Sequence, residues 1–337
     1  MRRLRRNFRK NQSKIILTTA FALVFCLCVG YAAFQTVINF NVKGNIKKKP
    51  LTTPRDLAKN VVTAGDGLYV DTTEAGRYIY RGANPNNYIT LGTDTYRIIS
   101  VESDNTLKVI KNGSIGEKVF DTSKARYSTT STDYCTSPYG CKVWGSKTTT
   151  LDTNGNNVTQ MPRQVGGTLY NLPDAEATLN TYLNNDWYNS LSSNVQNIVV
   201  SHLFNVGVTK SSETSLANTI TQEQTYKWLG KVGLMNVSDY IKANNNVDSC
   251  GTHSLTQSNY SICKTTNWIF AALGSTYPWT IVPCSYSDAR YVFNVVSDGP
   301  LYYNSAYYSL GVTPVLYLSS DISLEGDGTS NSPYTVG

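Results

Sequence analysis

Between Ile15 and Phe34 the chain runs for twenty residues without a charge, and no other feature restricts so narrowly what it can fold into. A helix rises about 1.5 Å per residue, so the run would span roughly 30 Å, the hydrocarbon thickness of a bilayer. Seven cations precede it (Arg2, Arg3, Arg5, Arg6, Arg9, Lys10 and Lys14) and four follow it (Lys43, Lys47, Lys48 and Lys49). This asymmetry predicts a single transmembrane helix with its N-terminus inside. The alternative is a signal peptide cleaved after Ala32, within the small-residue stretch Gly30-Tyr31-Ala32-Ala33. Both readings export the remainder, either as the outer domain of a single-pass cell-membrane protein or as a secreted one.

The net charge of +7 is concentrated at the start. Without those eleven cations, the 23 acidic residues outweigh the basic residues that remain. The exported part therefore carries no basic surface of the kind that binds nucleic acid. Cysteine usage agrees with export. Cys135 with Cys141, and Cys250 with Cys263, are locally spaced pairs that predict two disulfides, and Cys284 is left over.

The predicted organisation is a basic cytoplasmic segment (1–14), the span (15–34), a Lys- and Pro-broken linker (35–66) and one large domain (67–337). Short β-branched and aromatic runs separated by Gly, Asn and Asp turns predict strands at 77–81, 88–91, 96–101 and 107–111. Residues 121–168, dominated by Ser, Thr, Asn and Gly, read as a long surface excursion stapled by Cys135 and Cys141. Helical spacing of Leu179, Tyr182, Leu183 and Trp187 behind Pro173 predicts one helix. A second begins at Ser192 or Ser193 and carries His202 on its apolar face, and a third, short one begins at Ser238. Strands return at 279–282, 291–296 and 312–318, with a hairpin-like turn at Asp298-Gly299. This order gives an α+β domain of short antiparallel strands with two or three helices, preceded by a transmembrane helix.

Several segments in this order are familiar. They are Gly67–Val70, Arg77–Asn87, Tyr96–Ser100, Leu179–Leu191, Gly230–Met235, Tyr291–Gly299, Gly311–Leu318 and Gly326–Tyr334. Together they resemble an exported domain of unknown function from surface proteins of Gram-positive bacteria. That family is similar to the C-type-lectin-like fold of formylglycine-generating enzymes and of the variable proteins of diversity-generating retroelements. The resemblance covers roughly 65–337. It implies a ligand face just before the terminal strand, here Tyr286, Asp288, Arg290 and Tyr291 together with Tyr302, Tyr303, Asn304, Tyr307 and Tyr308. Tyrosine suits recognition because it offers a large rigid ring and a hydroxyl at low entropic cost. Thr313 stands where the family usually has arginine.

Signals for chemistry are sparse. The chain has two histidines, and none of the hydrolase, zinc, phosphate-loop or dinucleotide motifs occurs. A structural role for His202 is favoured over a catalytic one. No metal site and no cofactor is expected; Glu325 and Asp327 read as a turn and not as a calcium site. The expectation is a non-enzymatic, surface-displayed binding protein that recognises a glycan or a protein through its Tyr/Ser/Asn-rich C-terminal face. The alternatives are a structural envelope component without a discrete site and, less favoured, a cysteine-dependent oxidase using Cys284 with Cys250 or Cys263.

Overall fold

The runs of β-branched and aromatic residues do become strands, and they assemble into one large sheet. The computed structural model describes residues 52–250, 254–256, 263–274 and 277–337, together with Thr19, Ala20, Ala22, Leu23, Val24 and Cys26. Two units separate, Met1–Pro50 and Leu51–Gly337. Among the described residues no helix is long and apolar enough to cross a membrane. This corrects the transmembrane helix, and with it the single-span membrane partner and the single-pass membrane location expected from the sequence. Of the predicted span, the six described residues are helical, with Leu23 and Val24 exposed, and the rest lies outside the described residues. The α+β expectation is corrected as well. The described residues hold twenty strands and are 21% helical.

The central sheet has ten strands. Its main path runs Val199–Val200, Val315–Leu318, Leu107–Lys111, Asp94–Val101, Tyr88–Leu91, Tyr334–Val336 and Leu324–Glu325. Tyr78–Arg81 also pairs with Asp94–Val101, and Gly67–Val70 pairs with Tyr78–Arg81. Among the described strands of this sheet, Tyr334–Val336 runs parallel to Tyr88–Leu91 and the other pairings are antiparallel. Tyr96, Ile98, Ile99, Leu107, Val109 and Ile110 are fully buried, so both faces of the middle strands are covered. The folded unit also takes in the end of the segment read as linker. Thr53 caps a helical turn at Pro54–Leu57, and Leu57 enters the core.

Three readings change for tertiary reasons. The first predicted helix starts at Thr178 instead of Pro173, because Asp121, remote in sequence, accepts from the Thr178 backbone N–H at 3.1 Å and from its hydroxyl at 3.0 Å. The second ends at Ile198. The β-branched pair Val199–Val200 joins the central sheet instead, and His202 lies on a strand, stacked on Tyr317 at 3.8 Å. The supposed surface excursion folds inward. Tyr134, Cys135, Cys141, Val143, Met161 and Leu172 build a second buried cluster with Val208 and Ala289. Both predicted disulfides are formed, Cys135–Cys141 and Cys250–Cys263.

A buried ionic network ties the N-terminal hairpin to the helix Val237–Lys242 and to the central sheet. The Arg77 guanidinium meets Asp71 (3.1 Å), Glu74 (2.9 Å), Glu102 (3.0 Å) and Asp239 (3.2 Å). Lys108 Nζ reaches Asp239 at 2.6 Å, and Lys242 Nζ reaches Asp71 and Glu74 at 2.9 Å. Asp239 additionally accepts from the Asn236 N–H at the helix start. Burial alone would push its pKa up, but the Lys108 and Arg77 charges outweigh this and hold it down at about 2. Removing Arg77 leaves buried carboxylates uncompensated, so Arg77→Met should lower unfolding stability by about 3–5 kcal/mol in urea titration. A loss within 0.5 kcal/mol or so would show the network to be incidental.

Glu223 is buried beside this network. Its carboxylate accepts from the Ser238 N–H at 3.1 Å and from the Ser238 hydroxyl, and it forms no ion pair among the described residues. Burial pushes its pKa up to about 7 from 4.5. Its contribution to stability is thus complete below about pH 4.5 and lost as pH rises through about 7. Glu223→Gln should remove that loss, raising Tm at about pH 8 by a few degrees while leaving it little changed at about pH 5. Equal shifts at both pH values would contradict the assignment.

Candidate functional site

The predicted ligand face rests on a three-stranded antiparallel sheet of Trp279–Pro283, Tyr291–Val295 and Leu301–Ser305. The turn at Asp298-Gly299 joins the last two, with Gly299 at φ +105°. The register sets Tyr291 opposite Ser305 and Phe293 opposite Tyr303. Trp279, Ile281 and Phe293 anchor the sheet in the core. Leu301–Ser305 is an edge strand, paired on one side within this sheet. Successive tyrosines on an extended strand should face opposite ways. Here the rings of Tyr302 and Tyr303 nevertheless stack, 5.0 Å apart and 4° from parallel. Tyr307 and Tyr308, in the turn that follows, stack at 4.6 Å.

From these pairs a continuous chain of rings crosses the surface. Tyr303 meets Tyr286 at 5.0 Å and Tyr291 at 5.4 Å, and Tyr286 meets Tyr291 at 5.2 Å. The Tyr286 and Tyr303 hydroxyls share a 2.5 Å hydrogen bond. Arg290 continues the chain by donating to the Tyr291 hydroxyl at 2.7 Å, with its guanidinium 4.8 Å from that ring and 5.3 Å from the ring of Tyr139. Tyr139 then meets Tyr307 at 5.3 Å. Tyr139, Tyr286, Tyr302 and Tyr308 are 36–48% exposed, which is unusual for so many large rings packed in sequence.

Asp288 joins through Arg290, whose N–H it accepts at 3.0 Å. Its Oδ2 lies 3.0 Å from Arg290 Nε without hydrogen-bond alignment. Asn304 is the predicted residue left out, since it bonds across to the buried Asn294 at 3.0 Å. Two participants were missed. Tyr139 sits in the Cys135–Cys141 loop, which closes against the domain at Gly140 (φ +82°). A Cβ there would come within 2.8 Å of the Asp121 carbonyl. The cysteine spacing marked the loop but not what it would touch. The other is Lys142, fully buried behind the face, with no sequence signal to single it out. Between the 136–139 loop and Ser287, Asp288 and Arg290 lies a groove of about 360 Å³.

Cys284 lies at the base of this region as a free, buried thiol. Burial pushes its pKa up to about 12, so it stays protonated. Cys250 and Cys263, the partners an oxidase would need, are bonded to each other. Thr313 is buried and its hydroxyl has no hydrogen-bond partner among the described residues. Among the described residues no group of His, Cys, Asp or Glu is placed to hold a metal. No family model, no curated protein and no solved structure matches this chain, and the resemblance drawn from its motifs rests on the sequence alone.

The Tyr303 phenol is held well above the usual tyrosine range, first by its hydrogen bond to Tyr286 and then by burial. In ultraviolet titration, Tyr286→Phe should bring one tyrosine back to ionising near the ordinary value of about 10. An unchanged titration curve would show that the two hydroxyls are not coupled.

Proposed function

We propose that this chain is a ligand-binding protein that recognises a glycan or a protein through the tyrosine face. The observation that carries the reading is the connected run of side chains from Tyr302 through Tyr303, Tyr286 and Tyr291 to the Arg290 guanidinium, and from there through Tyr139 and Tyr307 to Tyr308. Core packing would hide such rings, yet four of them are substantially exposed. Tyrosine and arginine are over-represented among residues that dominate binding energy. Rings held by their neighbours lose little freedom when a ligand arrives. The adjoining groove falls within the range of small recognition sites, about 300–1,000 Å³. Its Asp288 and Arg290 balance in charge and, with Ser137 and Ser287, offer both donors and acceptors.

The test is a screen of the purified full chain against a glycan array and intact cell surfaces, beside a Tyr286→Ala/Tyr302→Ala variant. Saturable binding should weaken by about tenfold or more in the variant, with Tm nearly unchanged. Binding that survives the substitutions, or no binding to any surface by a folded chain, would overturn the reading.

A further inference from the structure

A second depression, of about 630 Å³, lies beside the Cys135–Cys141 loop. Cys135 lines it, whereas Thr136, Ser137, Pro138 and Tyr139 line the groove next to the tyrosine face, so the disulfide loop parts the two. Its volume is in the range of small-molecule sites, about 300–1,000 Å³.

Arg126 lines this pocket with a side chain only 2% exposed. A guanidinium carries five N–H groups and can accept nothing. Nε donates to Asp121 at 3.1 Å, Nη2 to the carbonyls of Cys141 at 2.9 Å and Val143 at 2.8 Å, and Nη1 to that of Ala175 at 3.4 Å. These contacts leave one Nη1 hydrogen without an acceptor among the described residues. A buried donor in that state is costly until an oxygen from water or a ligand meets it. Asp133, also in the lining, supplies the complementary group. Its Oδ2 accepts from the Ser128 hydroxyl at 2.7 Å and its Oδ1 from the Asn171 amide at 3.1 Å. The two bonds fix the carboxylate and leave about half of its acceptor positions unused. Tyr127, 42% exposed, brings an aromatic ring to the same lining.

Charge decides what fits here. Arg126 and Lys147 are matched in the lining by Asp133 and Asp174. Each cation already touches a carboxylate, Arg126 that of Asp121 and Lys147 that of Asp174. The pocket therefore has little net field to draw an ion. An acyl chain or an apolar side chain would strip water from these groups and return no hydrogen bond. A hydroxyl both donates and accepts, so a ring of hydroxyls can serve Asp133 and Arg126 together. The C–H face of such a ring packs on an aromatic ring as other apolar surface does.

We propose that this pocket is a binding site for a neutral saccharide, with Tyr127 as the platform beneath a sugar ring and with Asp133 and Arg126 as the acceptor and donor for its hydroxyls. The inference does not rest on the reading of the tyrosine face, with which the pocket shares no residue.

The experiment is saturation-transfer difference NMR of the full chain with the neutral tetrasaccharides cellotetraose, tetra-N-acetylchitotetraose and mannotetraose, beside the charged tetramers of galacturonate and glucosamine. At least one neutral tetrasaccharide should bind saturably and better than either charged one. Tyr127→Ala and Asp133→Ala should each weaken that binding by about tenfold or more with Tm nearly unchanged. Asp133→Asn takes the place of Asp133→Ala if the latter does not fold. Tyr286→Ala/Tyr302→Ala should bind the sugar as the unsubstituted chain does. Binding lost in that double variant and kept in Tyr127→Ala overturns the inference and places the sugar on the tyrosine face. No saturable binding of a neutral tetrasaccharide up to about 10 mM, or a preference for a charged one, also overturns it and leaves a protein-binding tyrosine face standing.

Discussion

The Asp239 carboxylate is the point on which much of this structure depends. It accepts from Lys108 on the central sheet, from Arg77 on the N-terminal hairpin and from the Asn236 N–H at the start of its own helix. Each partner satisfies part of a charge that would be expensive to bury alone. The consequence is geometric. Segments separated by more than a hundred residues must meet at one buried carboxylate, which fixes where the helix Val237–Lys242 sits on the sheet. Trp268, fully buried, donates to the Tyr80 carbonyl at 2.8 Å and anchors the helix Trp268–Leu273 to the same hairpin. Hydrophobic burial drives the collapse, but it is non-directional; the ionic contacts supply the register.

The tyrosine face is built on different principles. It has little buried charge at its surface and instead a string of ring contacts and shared hydroxyls on an edge strand and two loops. Loops tolerate such exposure because a rigid scaffold holds their ends. Here the scaffold is threefold: the three-stranded sheet below, the Cys135–Cys141 disulfide at one side, and the Lys142 carbonyl cage behind. A disulfide and an ammonium do similar work, each joining backbone segments that lack a regular ladder between them. They differ in kind, because the disulfide is a covalent bond and the ammonium holds its carbonyls by hydrogen bonds alone.

Local features were legible where local forces decide. The strands at 88–91 and 107–111 follow from β-branched and aromatic runs between turn residues, and the structure keeps those limits. The Asp298-Gly299 turn was visible because glycine there adopts a positive φ, although the strand it leads into is Leu301–Ser305 and not the later segment expected. Spacing alone marked both cysteine pairs. Helix ends were less legible. Nothing near Pro173 reveals that Asp121 waits to cap Thr178, and the apolar spacing from Val195 to His202 fits a helix until the sheet edge claims Val199 and Val200.

The sequence by itself therefore determined where several strands extend, which cysteines lie close enough in the chain to be candidate pairs and which stretch is rich in tyrosine, because propensity and spacing act between near neighbours. Tertiary structure decided which of those tyrosines join. Tyr139 reaches Tyr307, and Lys142 reaches the carbonyls of residues 284–288, across more than 140 positions of chain. A backbone carbonyl carries no residue identity, so no pattern of side chains could announce the carbonyls that surround Lys142.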